Sequence, residues 1–277
     1  ILPTGVDNLT IIERGSGIAN SYSEGTTGAD TVTDSGSNYD SYAGNTGNDT
    51  ITFTAGSDFA SGGDGADTID LGSGSDVGLG SWGTDTLAGG TGSDILDGGA
   101  GNDTIYGDGL NLIVNGSFES ALTTGWTSTG NNGIRSDQGA VLGSNSLCFA
   151  VGAVPNGVVS QTIATTSGAN YTIGFDYGAN GSTNSQSLRI QVTSGGFTVL
   201  DTTVTAIPSA TTSFTDYEFN FSALGSSTVI TFTDVTSNGA SADGVLDNVR
   251  FTLDSSSADT LSGGNGSDTI YGGFGND

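Results

Sequence analysis

Aspartate recurs along the first third of the chain at a spacing that could do chemistry. It stands at Asp30, then at Asp40, Asp49, Asp58, Asp67, Asp76, Asp85, Asp94 and Asp103, nine residues apart, and returns at Asp259 and Asp268. Carboxylates at a fixed interval, among glycines that free backbone carbonyls, form an all-oxygen donor set suited to a hard divalent cation, calcium above all. The rest of the composition narrows the choice. Histidine is absent and Cys148 is the single cysteine, which removes imidazole ligation, serine–histidine catalysis, internal disulfides and multi-cysteine metal sites. A net charge of −26 argues against ordinary binding to nucleic acid or to anionic membrane, both of which need surface cations. No run reaches membrane-spanning length, and no acid–base pair or nucleophile motif stands at a diagnostic spacing, so the segment reads as non-catalytic.

The elements that must position these carboxylates follow from the same repeat. Residues 62–70 read GGDGADTID, and abutting units continue to GGAGNDTIY at 98–106. The frame extends back to 25–33 with one extra residue, Asp34, and returns at 254–262 and 263–271. Aspartate is always sixth. The eighth position is apolar at Val32, Tyr42, Ile51, Ile69, Leu87, Leu96, Ile105, Leu261 and Ile270, with Ala60 and Gly78 as weak members. Six residues of turn chemistry and three of strand cannot bury a core alone, but stacked units can. Two units make one coil of a parallel roll. One edge then carries Asp40, Asp58, Asp76 and Asp94, the other Asp49, Asp67, Asp85 and Asp103. At a stacking pitch of about 4.8 Å the carboxylates repel by roughly 1 kcal/mol per pair even in water, and a cation between turns reverses that sign.

The pattern GGxGxDxUx resembles the RTX calcium-binding nonapeptide repeat, closely over 62–106 and more loosely over 25–61. The resemblance implies a parallel β-roll that folds on several calcium ions outside the cell, after type I secretion from a bacterium. The metal ligands it implies are Asp40, Asp49, Asp58, Asp67, Asp76, Asp85, Asp94, Asp103, Asp259 and Asp268. Asn38 and Ala55 replace glycines, so the first sites are expected to be weak or empty. Residues 2–11, LPTGVDNLTI, resemble the strand that precedes such rolls. The pattern runs to Gly275-Asn276-Asp277, so the chain reads as a segment of a longer protein. GLGSWG at 78–83 fits a dinucleotide fingerprint, but it lies inside the repeat frame without a following helix and is set aside.

Between about 110 and 253 the nine-residue frame gives way to period-two alternation. Tyr171, Ile173, Phe175 and Tyr177 share one face, as do Leu188, Ile190 and Val192, and as do Tyr217, Phe219 and Phe221. Further strand-like runs are 111–118, 146–152, 157–163, 197–204, 227–234 and 245–253. Nine strands without a helical pattern predict an antiparallel β-sandwich. The opening NLIVNGSFE at 111–119 with Gly125-Trp126, and the closing VLDNVRF at 245–251, resemble jelly-roll carbohydrate-binding modules of the galactose-binding-like fold. That resemblance implies a structural calcium held by Glu119 and Asp247. Trp126 is the candidate sugar platform, with a place in the core as its competing reading. Asp176 with Arg189 and Gln191 is the candidate groove, against a plain solvated sheet face. Cys148 reads as a buried thiol.

The sequence therefore predicts an all-β chain in four parts: a capping region 1–24, a calcium β-roll 25–109, an inserted jelly-roll sandwich 110–253, and a continuation of the roll 254–277. The insert is expected to leave and re-enter the roll at nearly the same place. The expected role is a secreted or cell-surface calcium-binding segment presenting a module for polysaccharide or surface glycan. The alternatives are a surface-layer or filament subunit assembling through its roll ends, and an accessory domain of a secreted polysaccharide-degrading enzyme.

Overall fold

The computed structural model of the chain describes residues 10–12, 21–34, 36–149, 156–181, 185–207, 211–236, 242–254, 257–273 and 277. Residues 2–9 of the expected leading strand lie outside these, and so do residues 150–152. The chain divides into two compact units, one of Ile1–Leu110 with Thr252–Asp277 and the other of Asn111–Phe251. No helix among the described residues is long and apolar enough to cross a membrane.

The first unit is a parallel roll. Its strands are β1 (Thr10–Ile12), β2 (Ser21–Glu24), β3 (Thr31–Thr33), β4 (Asp40–Ala43), β5 (Thr50–Thr52), β6 (Phe59–Asp64), β7 (Thr68–Asp70), β8 (Val77–Trp82), β9 (Thr86–Ala88), β10 (Ile95–Ala100) and β11 (Thr104–Tyr106). The insert supplies β12 (Thr127–Thr129), β13 (Asn132–Arg135), β14 (Ser146–Phe149), β15 (Val158–Ala164), β16 (Asn170–Gly181), β17 (Gln186–Ser194), β18 (Phe197–Ala206), β19 (Ser213–Ser222), β20 (Ser227–Asp234) and β21 (Ala242–Asp254); β22 (Thr260–Ser262) and β23 (Thr269–Tyr271) follow it. One roll sheet runs β1-β3-β5-β7-β9-β11-β23 and the other β2-β4-β6-β8-β10-β22. Register is in phase with the repeat: Ile51 pairs with Ile69, Ile69 with Leu87, Leu87 with Ile105, and Ile105 with Ile270.

The apolar eighth positions from Val32 to Ile105 form the roll core, joined by Phe53 and Leu71 and with Leu261 packed against it, whereas Ile270, on the outermost strand, is exposed. Phe53 and Leu71 both stand at a first position, where glycine is usual, and periodicity alone does not single them out. Their reason is volume. A side chain built on Gly78 would meet Leu96 at 3.0 Å and Leu71 at 3.1 Å, so Leu71 fills the space its weak neighbour leaves. β6, β8 and β10 are six residues long, twice the length the three non-turn positions suggest, because pairing continues into the next unit through Gly63–Ser81 and Ser81–Gly99.

The second unit is an antiparallel sandwich of two five-stranded sheets, β12-β15-β20-β17-β18 and β13-β14-β21-β16-β19. Alternation places Phe175 and Phe232 face to edge across its interior, with centroids 5.2 Å apart. Phe251 stacks on Tyr171 at 5.0 Å. The expected strand at 111–118 is instead a series of turns, and the structure adds the short β12 and β13 that the sequence did not signal. Asn115 and Phe118 adopt φ of 57° and 54°, which breaks extended pairing. The first and last segments of this unit are bonded directly: Leu112 N donates to Phe251 O at 2.8 Å, and Phe251 N to Asn111 Oδ1 at 2.9 Å.

Candidate metal centre

The roll aspartates form a bonded ladder in which each carboxylate uses one oxygen. Asp49 N donates to Asp67 Oδ1 at 2.8 Å, Asp58 N to Asp76 Oδ1 at 2.6 Å, Asp67 N to Asp85 Oδ1 at 2.9 Å, and Asp85 N to Asp103 Oδ1 at 2.9 Å. The spacing of 18 residues is one coil. These bonds lock the carboxylate rotamers and leave the second oxygen directed into the turn.

That second oxygen has no partner. Oδ2 of Asp49, Asp58, Asp67, Asp76, Asp85, Asp94, Asp103 and Asp259 is buried without a hydrogen bond. A buried acceptor left unmade is costly, and an ionised one more so. Its surroundings are oxygen-rich. A methyl carbon built on Gly80 would lie 2.5 Å from both Asp85 Oδ2 and the Gly98 carbonyl oxygen, and one on Gly89 would lie 2.5 Å from the Gly107 carbonyl oxygen and against Asp94 Oδ2. These distances fall in the calcium–oxygen range of about 2.3–2.6 Å. Among the described residues no three acidic side chains gather at one point, so backbone carbonyls must supply most of each shell. The donor set fits calcium. Bound there, the ion would supply positive charge to the orphaned oxygens and join successive turns.

Burial pushes Asp58 and Asp94 up to about 7 and Asp49, Asp76 and Asp85 to about 6, and neighbouring ladder carboxylates add to several of these shifts. Asp67 and Asp259 are raised by burial as well. The ordinary value is 3.8, so the metal-free roll holds protons that an unfolded chain has lost. The contribution of these groups to its stability is therefore fully present below about pH 4 and is lost as pH rises through 6 to 7. Protons and calcium compete for the same oxygens. The calcium concentration for half-folding should rise several-fold between pH 8 and pH 5.5, and acidification in chelator should restore part of the roll signal. Circular dichroism titrations at the two pH values measure both.

The first turn is built differently. Asp30 Oδ2 accepts from Thr26 N at 2.6 Å and from the Tyr42 hydroxyl at 3.2 Å. Protein groups therefore meet the oxygen that is orphaned elsewhere. Asp40 N joins the ladder through Asp58 Oδ1, and Asp268 Oδ1 accepts from Asp103 N, but neither aspartate has the buried orphan oxygen of the other eight.

In the insert, Glu119 and Asp247 converge on one loop. Glu119 Oε1 accepts from Ser144 N at 2.8 Å and Asn145 N at 2.6 Å. Asp247 Oδ2 accepts from Val141 N at 2.6 Å and Leu142 N at 3.0 Å, and its Oδ1 from Asn248 N. Loop amides hold Glu119 below the usual carboxylate range, whereas burial lifts Asp247 to about 6. Both carboxylates thus grip residues 141–145 through N–H donors, without the orphan oxygens of the roll. Asp234 does carry one, on Oδ2, and no motif in the sequence points to it.

Two expected ligand-binding features are corrected. Trp126 is not a surface platform: it is 5 % exposed, lies 5.7 Å from the Phe118 ring, and donates its indole N–H to Asn115 O. Asp176 does not share a groove with Arg189 and Gln191, because they lie on different sheets. Arg189 and Gln191, on β17, both donate to Asp201. Asp176, on β16, accepts from Asn248 Nδ2 at 2.9 Å and lies 3.8 Å from Arg250. Arg250 itself is buried and reaches Asp216 at 2.7 Å and Glu218 at 3.2 Å. Single-strand alternation could not foresee this cluster, which is assembled across three strands. Cys148 is buried.

Residues 43–77, 79–111 and 254–277 match the family model described as the RTX calcium-binding nonapeptide repeat, and the chain carries these calcium-binding repeats. Residues 123–252 match a second model, described as a protein of unknown function (DUF642). No curated protein matches the sequence. Among solved structures, TmCBM61 in complex with β-1,4-galactotriose is 17 % identical, with a TM-score of 0.41, over 52 % of this chain and 99 % of its own. The CBM22-1 xylan-binding domain of Paenibacillus barcinonensis Xyn10C is 19 % identical, with a TM-score of 0.37, over 50 % of this chain and 90 % of its own.

Proposed function

We propose that this chain is a non-catalytic segment of a secreted bacterial protein, in which a calcium-loaded roll presents the inserted sandwich for adhesion to polysaccharide. The observation that carries the calcium part is the row of eight buried carboxylate oxygens without partners. Scarce cytosolic calcium would leave the chain loose for export, and millimolar calcium outside would turn binding free energy into folding free energy. Asp40, Asp49, Asp58, Asp67, Asp76, Asp85, Asp94, Asp103, Asp259 and Asp268 are the proposed roll ligands. Glu119 and Asp247 are proposed to hold the ends of the sandwich together.

The carbohydrate part rests on the resemblance of the opening and closing segments of the insert to jelly-roll modules. Affinity electrophoresis of the full chain through gels containing galactan, xylan or algal polysaccharide tests it. Retardation on at least one glycan is the expected result, and free migration on all of them would overturn it. Light scattering of the same sample addresses the rival structural role. Among the described residues β1 and β23 are outermost in one sheet and β2 and β22 in the other, and rolls pairing end to end would use edges of this kind. Large calcium-dependent particles without glycan retardation would favour a surface layer. Turnover of a polysaccharide by this segment would overturn its non-catalytic role.

A further inference from the structure

The insert interrupts a single nonapeptide. Ladder partners that elsewhere are 18 residues apart are 165 apart where the insert intervenes, in Asp94 to Asp259 and in Asp103 to Asp268. The excess of 147 residues equals the stretch 110–256 and fits a break between Gly109 and Ser257. Gly107, Asp108 and Gly109 then supply positions one to three of a repeat whose positions four to nine are Ser257, Ala258, Asp259, Thr260, Leu261 and Ser262.

The structure shows this composite unit assembled. Elsewhere each first-position glycine faces the Oδ2 of the aspartate five residues on, as Gly80 faces Asp85 and Gly98 faces Asp103, in each case at 2.5 Å from a methyl carbon built on the glycine. A methyl carbon on Gly107 would meet Asp259 Oδ2 at the same 2.5 Å, and would also meet the Gly272 carbonyl oxygen. Asp259 is 5 % exposed and its Oδ2 has no partner. Thr260 N donates to Asp94 O at 2.8 Å and Gly107 N to Tyr271 O at 2.8 Å. One substitution marks the joint. Fourth-position glycines such as Gly74 and Gly83 donate N–H to a backbone carbonyl of the next coil, whereas Gly92 donates to the Ser257 hydroxyl at 3.1 Å.

We infer that this is a split calcium site, with Gly107 before the insert and Asp259 after it, and that an ion bound there fastens the two ends of the inserted domain. The inference rests on the calcium reading of the roll. In an uninterrupted turn the glycine and the aspartate of a site are five residues apart, as in Gly80 and Asp85; Gly107 and Asp259 are 152 apart. Tethering the ends of so long a segment removes freedom from its unfolded state. The stability of the sandwich thereby becomes linked to calcium through a site that lies in the roll.

The full chain carrying Trp82→Phe tests this, since Trp126 then reports the insert alone. Thermal unfolding followed by Trp126 fluorescence should move up by at least about 5 °C on saturation with calcium, the scale set by loop closure. Asp259→Asn should abolish that shift while far-UV circular dichroism still shows calcium ordering the roll ahead of the insert. Gly107→Ala, which fills the cradle and leaves every charge in place, should do the same and guards against misfolding of the first variant. Asp85→Asn, in an uninterrupted turn, should keep the shift. A full shift in Asp259→Asn, or an equal loss in Asp85→Asn, would overturn the split site. No calcium response of the roll in any variant would instead overturn the calcium reading beneath it.

Discussion

Chelation of calcium should unfold the roll and leave the sandwich standing. In EGTA at pH 7.5 the β-signal of the roll should disappear and return on calcium addition in the range of about 0.1–1 mM typical of extracellular calcium modules. The reason lies in what each unit offers without metal. It orders nine residues around roughly one buried apolar side chain, worth about 2 kcal/mol, and ordering the backbone alone costs more than that. It also buries one carboxylate oxygen without a partner in eight of the turns, each a penalty of several kcal/mol when ionised. The sandwich has no such debt over most of its core, where Phe149, Phe175, Phe232, Phe251, Ile173, Leu188 and Ile190 are all fully buried. The measurement is far-UV circular dichroism with Trp126 fluorescence on one sample of the Trp82→Phe chain, in which Trp126 is the single tryptophan. A roll that stays fully ordered in EGTA at neutral pH would mean that the aspartates are only turn punctuation, and the calcium mechanism would fall.

The roll was legible because its signal repeats. Asp67, Ile69 and the glycines between them mean little in one unit, but eleven copies in one frame define a coil, its core and its ladder. Even there the reading stopped at a boundary. Asp254 to Ser262 scans as a degenerate repeat lacking its glycines, and only the contact of Gly107 with Asp259 shows that the missing glycine stands before the insert. Alternation found most sandwich strands, since period two reports which face is buried. It does not say which strands are neighbours, so it groups Asp176 with Arg189, which lie on different sheets, and gives no sign of the cluster around Arg250. Trp126 illustrates the same limit, because a tryptophan after a turn has the same local sequence whether it faces solvent or Phe232, whose ring lies 6.2 Å away.

Alanine at Gly83 should collapse the stacking of the roll, whereas alanine at Gly80 should cost it an ion. The two glycines are three residues apart and differ in what surrounds them. Gly83 has φ of 147°, and a side-chain carbon there would overlap the Gly65 carbonyl of the adjacent coil. Backbone strain and a clash with a main-chain atom that cannot rotate away act together, for a loss of at least about 3 kcal/mol. Excess calcium should not rescue this variant, because the coils cannot approach. Gly80 lacks a positive φ, and its added carbon would occupy the space between Asp85 Oδ2 and the Gly98 carbonyl oxygen. The coil can still form, but its oxygens no longer enclose a cation-sized gap. Isothermal titration should therefore show one ion fewer in Gly80→Ala, with the remaining sites folding at a modestly higher calcium concentration. Unaltered stoichiometry in Gly80→Ala would place the ions elsewhere than in the first-position cradles. A Gly83→Ala variant that folds like the wild type would mean that the coils tolerate wider spacing than the ladder bonds allow.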